Sequence, residues 1–290
     1  MSPILGDLPA DLYHADIVDN RRPSLTASIA KLLCLASPRH AWTAHPRLNP
    51  DFERDTDPKY DLGTAAHAWL LEGRQAVHVV HAADWRTNAA KDARDEARLA
   101  GRIPLLAKDY DALERMVEAA DYQLSVHEAD PRPFTDGAAE QTLVWDETGV
   151  LCRARLDWSR DDRACIDDYK TTGRSANPES WSRTLFGMGY DVQAAFYLRG
   201  LAAVAGPAVA GMADFRFVVQ ETSAPYALSV ISLSPAALQL ADDKVAWAID
   251  LWRRCMDQDD WPGYPTRVCY ADAPPWEETR WLEKEAREAA

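Results

Sequence analysis

Positive charge is in short supply in this chain: 32 Lys and Arg stand against 46 Asp and Glu, a formal net charge of -14. A protein that coats nucleic acid by bulk electrostatics needs the opposite balance, because phosphates are met by a basic surface. A local basic patch remains compatible, and acidity suits a site that collects divalent cations. Long apolar runs are also missing. No stretch approaches the roughly 18 residues of a membrane span, and the opening "MSPILGDLPADLYHADIVDN" is acidic where a signal peptide is basic and then apolar. The expectation is a cytoplasmic protein with no membrane partner. Cysteine is sparse and unpatterned. Cys34, Cys152, Cys165, Cys255 and Cys269 are odd in number and form no CxxC pair, so neither a disulfide framework nor a zinc ribbon is indicated. A glycine-rich phosphate loop is absent, which argues against a Mg²⁺ enzyme of small phosphates.

What is present is globular material, with 47% hydrophobic and 27% charged residues, 11 Trp and 10 Tyr. The 290 residues suffice for one large α/β domain or two smaller ones. We expect one domain over 1–290, with a helical part over 1–130, a core over 131–256 and a tail over 257–290. In "SLTASIAKLL", Ser24 or Thr26 can cap a helix whose apolar positions are Ile29, Leu32 and Leu33. A second short helix begins at Pro38. The turn-rich stretch over 45–63 leads to the helix "TAAHAWLLEG", closed by Gly73. Residues 88–126 read as charged helix broken near Pro104, with Leu113, Met116, Val117 and Ala120 as its apolar stripe.

The period then changes. "EQTLVWDETG", "VLCRARLDWSRDD" and "RACIDDYKTTG" are three β-type runs separated by turn residues, an antiparallel meander. A long helix over 178–204, the strands "ADFRFVVQE" and "YALSVISLS", and a helix from Pro235 to about Met256 follow. The tail "DAPPWEETRWLEKEAREAA" predicts a docked or frayed terminal helix. The fold class is α/β (α+β), a central mixed sheet flanked by helices.

Side chains alternate along a strand, so Asp168 and Lys170 share a face with Ile166, while Asp167 and Tyr169 point the other way. Asp157 shares a face with Arg153 and Arg155. If the two strands are hairpin neighbours, Asp157 and Asp168 approach each other. Two carboxylates offer a hard cation its oxygen ligands, the cation polarises a phosphoryl oxygen and activates water, and Lys170 can orient that water or stabilise the growing charge. Taken alone, a D-x-K triplet is equally a surface salt bridge. Downstream, Gln193 and Tyr197 lie on one helix face with Tyr190 a turn earlier.

The order "RLDW", "IDDYKTT", "GYDVQAAFY" resembles the PDDEXK nuclease superfamily, in particular the phage-type RecE (exonuclease VIII) group. "LYHADIVDNRRPSLTASIAKLLCLASPRHAW" and "LGTAAHAWLLEG" are similar to that group's opening segments. The resemblance covers roughly residues 12–220. It implies a restriction-endonuclease-like core and a Mg²⁺-dependent exonuclease, Mn²⁺ being an alternative cation. Such an enzyme degrades one strand of linear duplex DNA, 5′→3′, in phage-type recombination. It carries His67, Asp157, Asp168 and the Tyr169 carbonyl into the metal site, with Asp157, Asp168, Lys170 and Glu140 as catalytic groups; Glu147 or Glu72 could take the place of Glu140. Gln193 and Tyr197 would position the strand. Arg153 and Arg155 would contact phosphate or neutralise the acids, and Asp167 would cap a turn or pair with Arg163. Relatives with an iron–sulfur cluster hold one early and three late cysteines; Cys34, Cys255 and Cys269 fall short, so no cluster is expected. The partners implied are double-stranded DNA ends, a RecT-like single-strand annealing protein, and further copies of the chain in a ring. Two rival readings stay open: a structure-specific or single-strand endonuclease of the same superfamily, and a catalytically silent module that binds DNA ends or a recombinase.

Overall fold

The alternation over 137–172 produces three long strands, β4 (Gly137–Glu147), β5 (Val150–Arg160) and β6 (Cys165–Thr172), paired antiparallel in sequence order. They are the middle of a six-stranded sheet ordered β1-β4-β5-β6-β7-β8. At one edge β1 (Ile4–Gly6) pairs antiparallel with β4; at the other, β7 (Asp214–Glu221) runs parallel to β6 and β8 (Leu228–Ser232) returns antiparallel. The sheet is therefore mixed, as expected, and the parallel pair forces a helical crossover between β6 and β7. The computed structural model describes residues 4–6, 8–53, 61–206, 209 and 211–288; the turn-rich stretch read over 45–63 lies partly outside these.

The helices are α1 (Ala10–His14), α2 (Ala27–Leu35), α3 (Pro38–Thr43), α4 (Asp61–Glu72), α5 (Asn88–Leu99), α6 (Ala107–Ser125), α7 (Pro178–Gly187), α8 (Tyr190–Ala205), α9 (Pro235–Gln258) and α10 (Pro275–Glu288). Of the two candidate caps for α2, Thr26 is the one that accepts the Ile29 amide. Three expectations are corrected. The part over 1–130 is not wholly helical: besides β1 it holds a parallel ribbon of β2 (Val77–Val80) and β3 (Ile103–Leu106). Pro104 sits inside β3, where the flanking Ile103, Leu105 and Leu106 prefer pleated, buried surface. The crossover is two helices, because Gly189 adopts φ +65° and ends the helical path between α7 and α8. The tail forms α10, and no described residue of that helix is buried, so of the two alternatives left open for it docking is the one not seen.

Two hydrophobic layers follow from the alternation. Cys152, Ala154, Leu156, Ile166, Phe215 and Phe217 face α2, α7, α8 and α9. Tyr169 and Val218 face the other way, onto Ala65 and Ala66 of α4 and Leu113, Met116 and Val117 of α6. Two small residues set the approach of helix to sheet. A Cβ on Gly63 would come within 2.6 Å of the Thr171 hydroxyl, so its absence lets α4 lie close on β6. A Cβ on Gly200 would come within 2.7 Å of the Trp145 ring, which packs on Phe196 at 5.0 Å. Replacing Trp145 with Ala should cost about 3–5 kcal/mol in urea unfolding, the range for emptying a buried aromatic site; a loss below about 1 kcal/mol would contradict this packing.

Candidate active site

The β5–β6 ladder is in register at Ser159 with Ile166 and Trp158 with Asp167, and there it stops. One step further, Asp157 and Asp168 face each other, and the Tyr169 amide donates to Asp157 Oδ2 at 2.9 Å instead of to a β5 carbonyl. The two strands part at this point. On the other side of β5, Glu140 lies opposite Asp157, between the pairs Ala139 with Trp158 and Gln141 with Leu156. Its backbone has φ +57°, a left-handed conformation uncommon outside glycine and often found where a site imposes strain. His67, one turn after Gly63 on α4, completes the cluster: Nε2 is 3.1 Å from Asp157 Oδ2 and Nδ1 is 3.8 Å from Glu140 Oε1.

His67, Glu140 and Asp157 each offer one donor atom, and these atoms lie within 4.8 Å of one another. One imidazole and two carboxylates suit a hard or borderline divalent cation. Asp168 stands deeper, fully buried. Gln193 donates to its Oδ1 at 2.6 Å and the Lys170 ammonium pairs with Oδ2.

The charges divide by environment. Burial pushes the Asp168 carboxyl up to about 6, opposed by Lys170 and reinforced by Asp157. Asp157 goes the other way: burial works against its charge, but His67, Lys170 and the Tyr169 amide hold it below the usual carboxylate range. Burial disfavours the His67 imidazolium, yet Asp157, Glu140 and Asp168 outweigh that and raise it to about 8. Lys170 is likewise raised, burial being outweighed by Asp168 and Asp157. Glu140 is raised by burial, against the Arg155 guanidinium bonded to it.

Thus the structure gathers His67, Glu140, Asp157, Asp168, Tyr169 and Lys170 at one place. The Asp168 carboxylate is not one of the three clustered donors; Glu140, named among catalytic groups rather than ligands, is. Gln193, expected to position a strand, is buried with its amide on Asp168. Tyr197 is half-buried, 6.0 Å from the Phe215 ring, and lines a cleft of about 430 Å³ with His67, Glu140, Arg155 and Asp157. Of the two alternatives for the arginines, Arg155 takes the neutralising one, at Glu140. Arg153 is committed to Asp16, a buried acid that also accepts from the Ser24 amide at 3.0 Å and that no pattern in the sequence singles out. Asp167 faces away, as expected, but pairs with Arg216 of β7 and accepts the Phe134 amide, not with Arg163. A second cleft of about 580 Å³ opens beside Lys170, Thr171 and Tyr190, so His67, which lines both, stands between them.

A mixed sheet whose meander parts at paired carboxylates beside a lysine defines a PDDEXK-like domain. The sequence agrees: the model of the family described as "PDDEXK-like domain of unknown function (DUF3799)" matches residues 33–274, and the chain belongs to that family. The fold is similar to the crystal structure of a provisionally named exonuclease from Eubacterium rectale, with a TM-score of 0.61, 12% identity, and coverage of 94% of this chain and 98% of that one. A phage-related exonuclease from Haemophilus somnus 129PT aligns over 67% of this chain and 95% of its own at 12% identity, but its TM-score of 0.29 carries no weight for the fold. No curated protein matches the sequence. Among the described residues no helix is long and apolar enough to cross a membrane.

In metal-free protein His67 should titrate near 8, and in Asp157→Asn it should fall back toward 6.5, which NMR of the imidazole protons reads directly. A folded value above the unfolded one stabilises the fold fully below about pH 6.5 and loses that contribution as pH rises through about 8, a change of about 2 kcal/mol. A His67 titration at 6.5 in the unmodified protein would remove the pairing.

Proposed function

We propose that the chain is a divalent-metal-dependent nuclease that hydrolyses phosphodiester bonds of linear double-stranded DNA from its ends. The observation that carries this reading is the convergence of His67, Glu140 and Asp157 donors within 4.8 Å, next to the Lys170–Asp168 pair. Membership of a PDDEXK-like family and a fold shared with a provisionally named exonuclease support it.

His67, Glu140 and Asp157 would hold the cation, with Asp168 behind them. A bound Mg²⁺ or Mn²⁺ would supply Lewis acidity at a phosphoryl oxygen and a water of lowered pKa. The protein's own groups do the rest. The Tyr169 amide fixes the Asp157 carboxylate, and Gln193 fixes that of Asp168. Lys170, half-buried and held protonated by both acids, places a positive charge where negative charge builds on the phosphate during attack. The attacking water gives its proton to a carboxylate or to solvent, and the leaving 3′ oxygen takes one up. By the sequence resemblance the polarity is 5′→3′, the setting is recombination, and the working form is a ring of copies.

End-labelled linear duplex incubated with Mg²⁺ should release label, EDTA should stop it, and covalently closed circles should survive. Asp157→Asn and Lys170→Met should each lower kcat by at least about 10²-fold, the size of effect expected when one preorganised charge is removed. Cutting of closed circles would point to an endonuclease, and no release by the unmodified protein would end the enzyme reading. Mn²⁺ affinity measured by calorimetry should weaken about tenfold per pH unit from pH 8 down to 6.5, because His67, titrating at about 8, must be neutral to ligate. A flat profile over that range would exclude His67 as a ligand.

A further inference from the structure

Lys31, on α2, is a half-buried lysine that pairs with no acid among the described residues; its ammonium lies over the Tyr190 ring, 5.2 Å from the centroid. Its position is built. Gly189 carries no Cβ at the corner between α7 and α8, and one placed there would stand 3.0 Å from Lys31 Cγ and 3.1 Å from Cδ. The bare corner is what lets the lysine stem lie flat and deliver its charge to Tyr190. Lys170 Nζ approaches the same ring, 5.3 Å from the centroid. The ring itself is held by Trp181, stacked at 5.7 Å with planes 11° apart, and by Phe217 at 5.9 Å.

Two ammonium groups thus converge on one fixed aromatic. Lys170 pairs directly with Asp168, whereas Lys31 forms no ion pair among the described residues. Burial, and then the Lys170 charge, disfavour the protonated form of Lys31, while Asp168 favours it. A cation–π contact is weak compensation for holding an ammonium partly out of water beside a like charge. The arrangement makes physical sense once an anion lies across the two lysines. Lys170 faces the second cleft, where Tyr190 is also part of the wall. An extended polyanion reaching the acidic cluster by this cleft would bring one phosphate to Lys170 and the neighbouring one to Lys31.

We propose that Lys31 is a substrate-binding residue that contacts the backbone phosphate adjacent to the scissile one. This rests on the nuclease reading above and adds the phosphate register of the strand to it.

The test compares unmodified protein with Lys31→Met, which keeps the stem and removes the charge, and Lys31→Arg, which restores it. Binding of an end-labelled duplex is followed by fluorescence anisotropy in Ca²⁺ at several salt concentrations, with steady-state cleavage in Mg²⁺ and thermal melting alongside. Lys31→Met should raise KM about tenfold with kcat within about threefold and an unchanged melting temperature. Its slope of log affinity against log salt should be shallower by about 0.9, the loss of one phosphate contact. Lys31→Arg should recover the slope. An unmodified slope and KM in Lys31→Met, a fall in kcat alone, or a lowered melting temperature with binding intact would each overturn the assignment while leaving the nuclease reading standing. If the unmodified protein neither binds nor cleaves DNA, both readings fall together.

Discussion

The hydrogen bond from the Tyr169 amide to the Asp157 carboxylate ends a β-ladder that backbone pairing would otherwise extend. An amide in the sheet interior must find an acceptor. Here a side chain supplies it, so β5 and β6 part without leaving a donor orphaned. The gap lets a helix from one face of the sheet and a helix from the other reach the same strands: His67 comes from α4, Gln193 from α8. Without that divergence the carboxylates would be covered by a continuous sheet.

Two adjacent aspartates show how environment assigns roles to identical side chains. Asp167 and Asp168 are both fully buried. Asp167 takes a bidentate guanidinium, with Arg216 at 2.6 and 3.0 Å, and the Phe134 amide, which fills its acceptor sites and makes it a strut between β6, β7 and the loop before β4. Asp168 has one side-chain amide and one ammonium, the latter from a lysine that lines a cleft. The acid held by a guanidinium and a backbone amide is structural; the one paired with a cleft lysine lies at the candidate site. The same contrast separates Arg153, locked to Asp16, from Lys31, which pairs with no acid among the described residues.

Net acidity and the proposed role on DNA are compatible because the charges are sorted in space. The cationic groups Lys31, Lys170 and Arg155 are held in fixed positions by Tyr190, Asp168 and Glu140. A few preplaced cations next to the proposed metal site can bind a phosphate chain that a diffuse surface of net charge -14 would repel.

Much of this was legible in one dimension, because side-chain alternation is local. The meander, the shared face of Asp168 and Lys170, the opposite face of Asp167 and the turn-flanked β7 and β8 all follow from residues a few positions apart. The motif order extended this to His67 and Gln193. Only tertiary structure decided which acid each base meets. Asp16 reaches Arg153 across 137 positions, Asp167 chooses Arg216 over the nearby Arg163, and Glu140 enters the donor cluster through a left-handed backbone that no propensity announces. The Pro104 strand and the break at Gly189 were hidden, and the choice between a docked and a frayed α10 stayed open, for a related reason: what neighbours cover an element depends on packing between segments distant in sequence, whereas periodicity reports only which face of a segment is apolar.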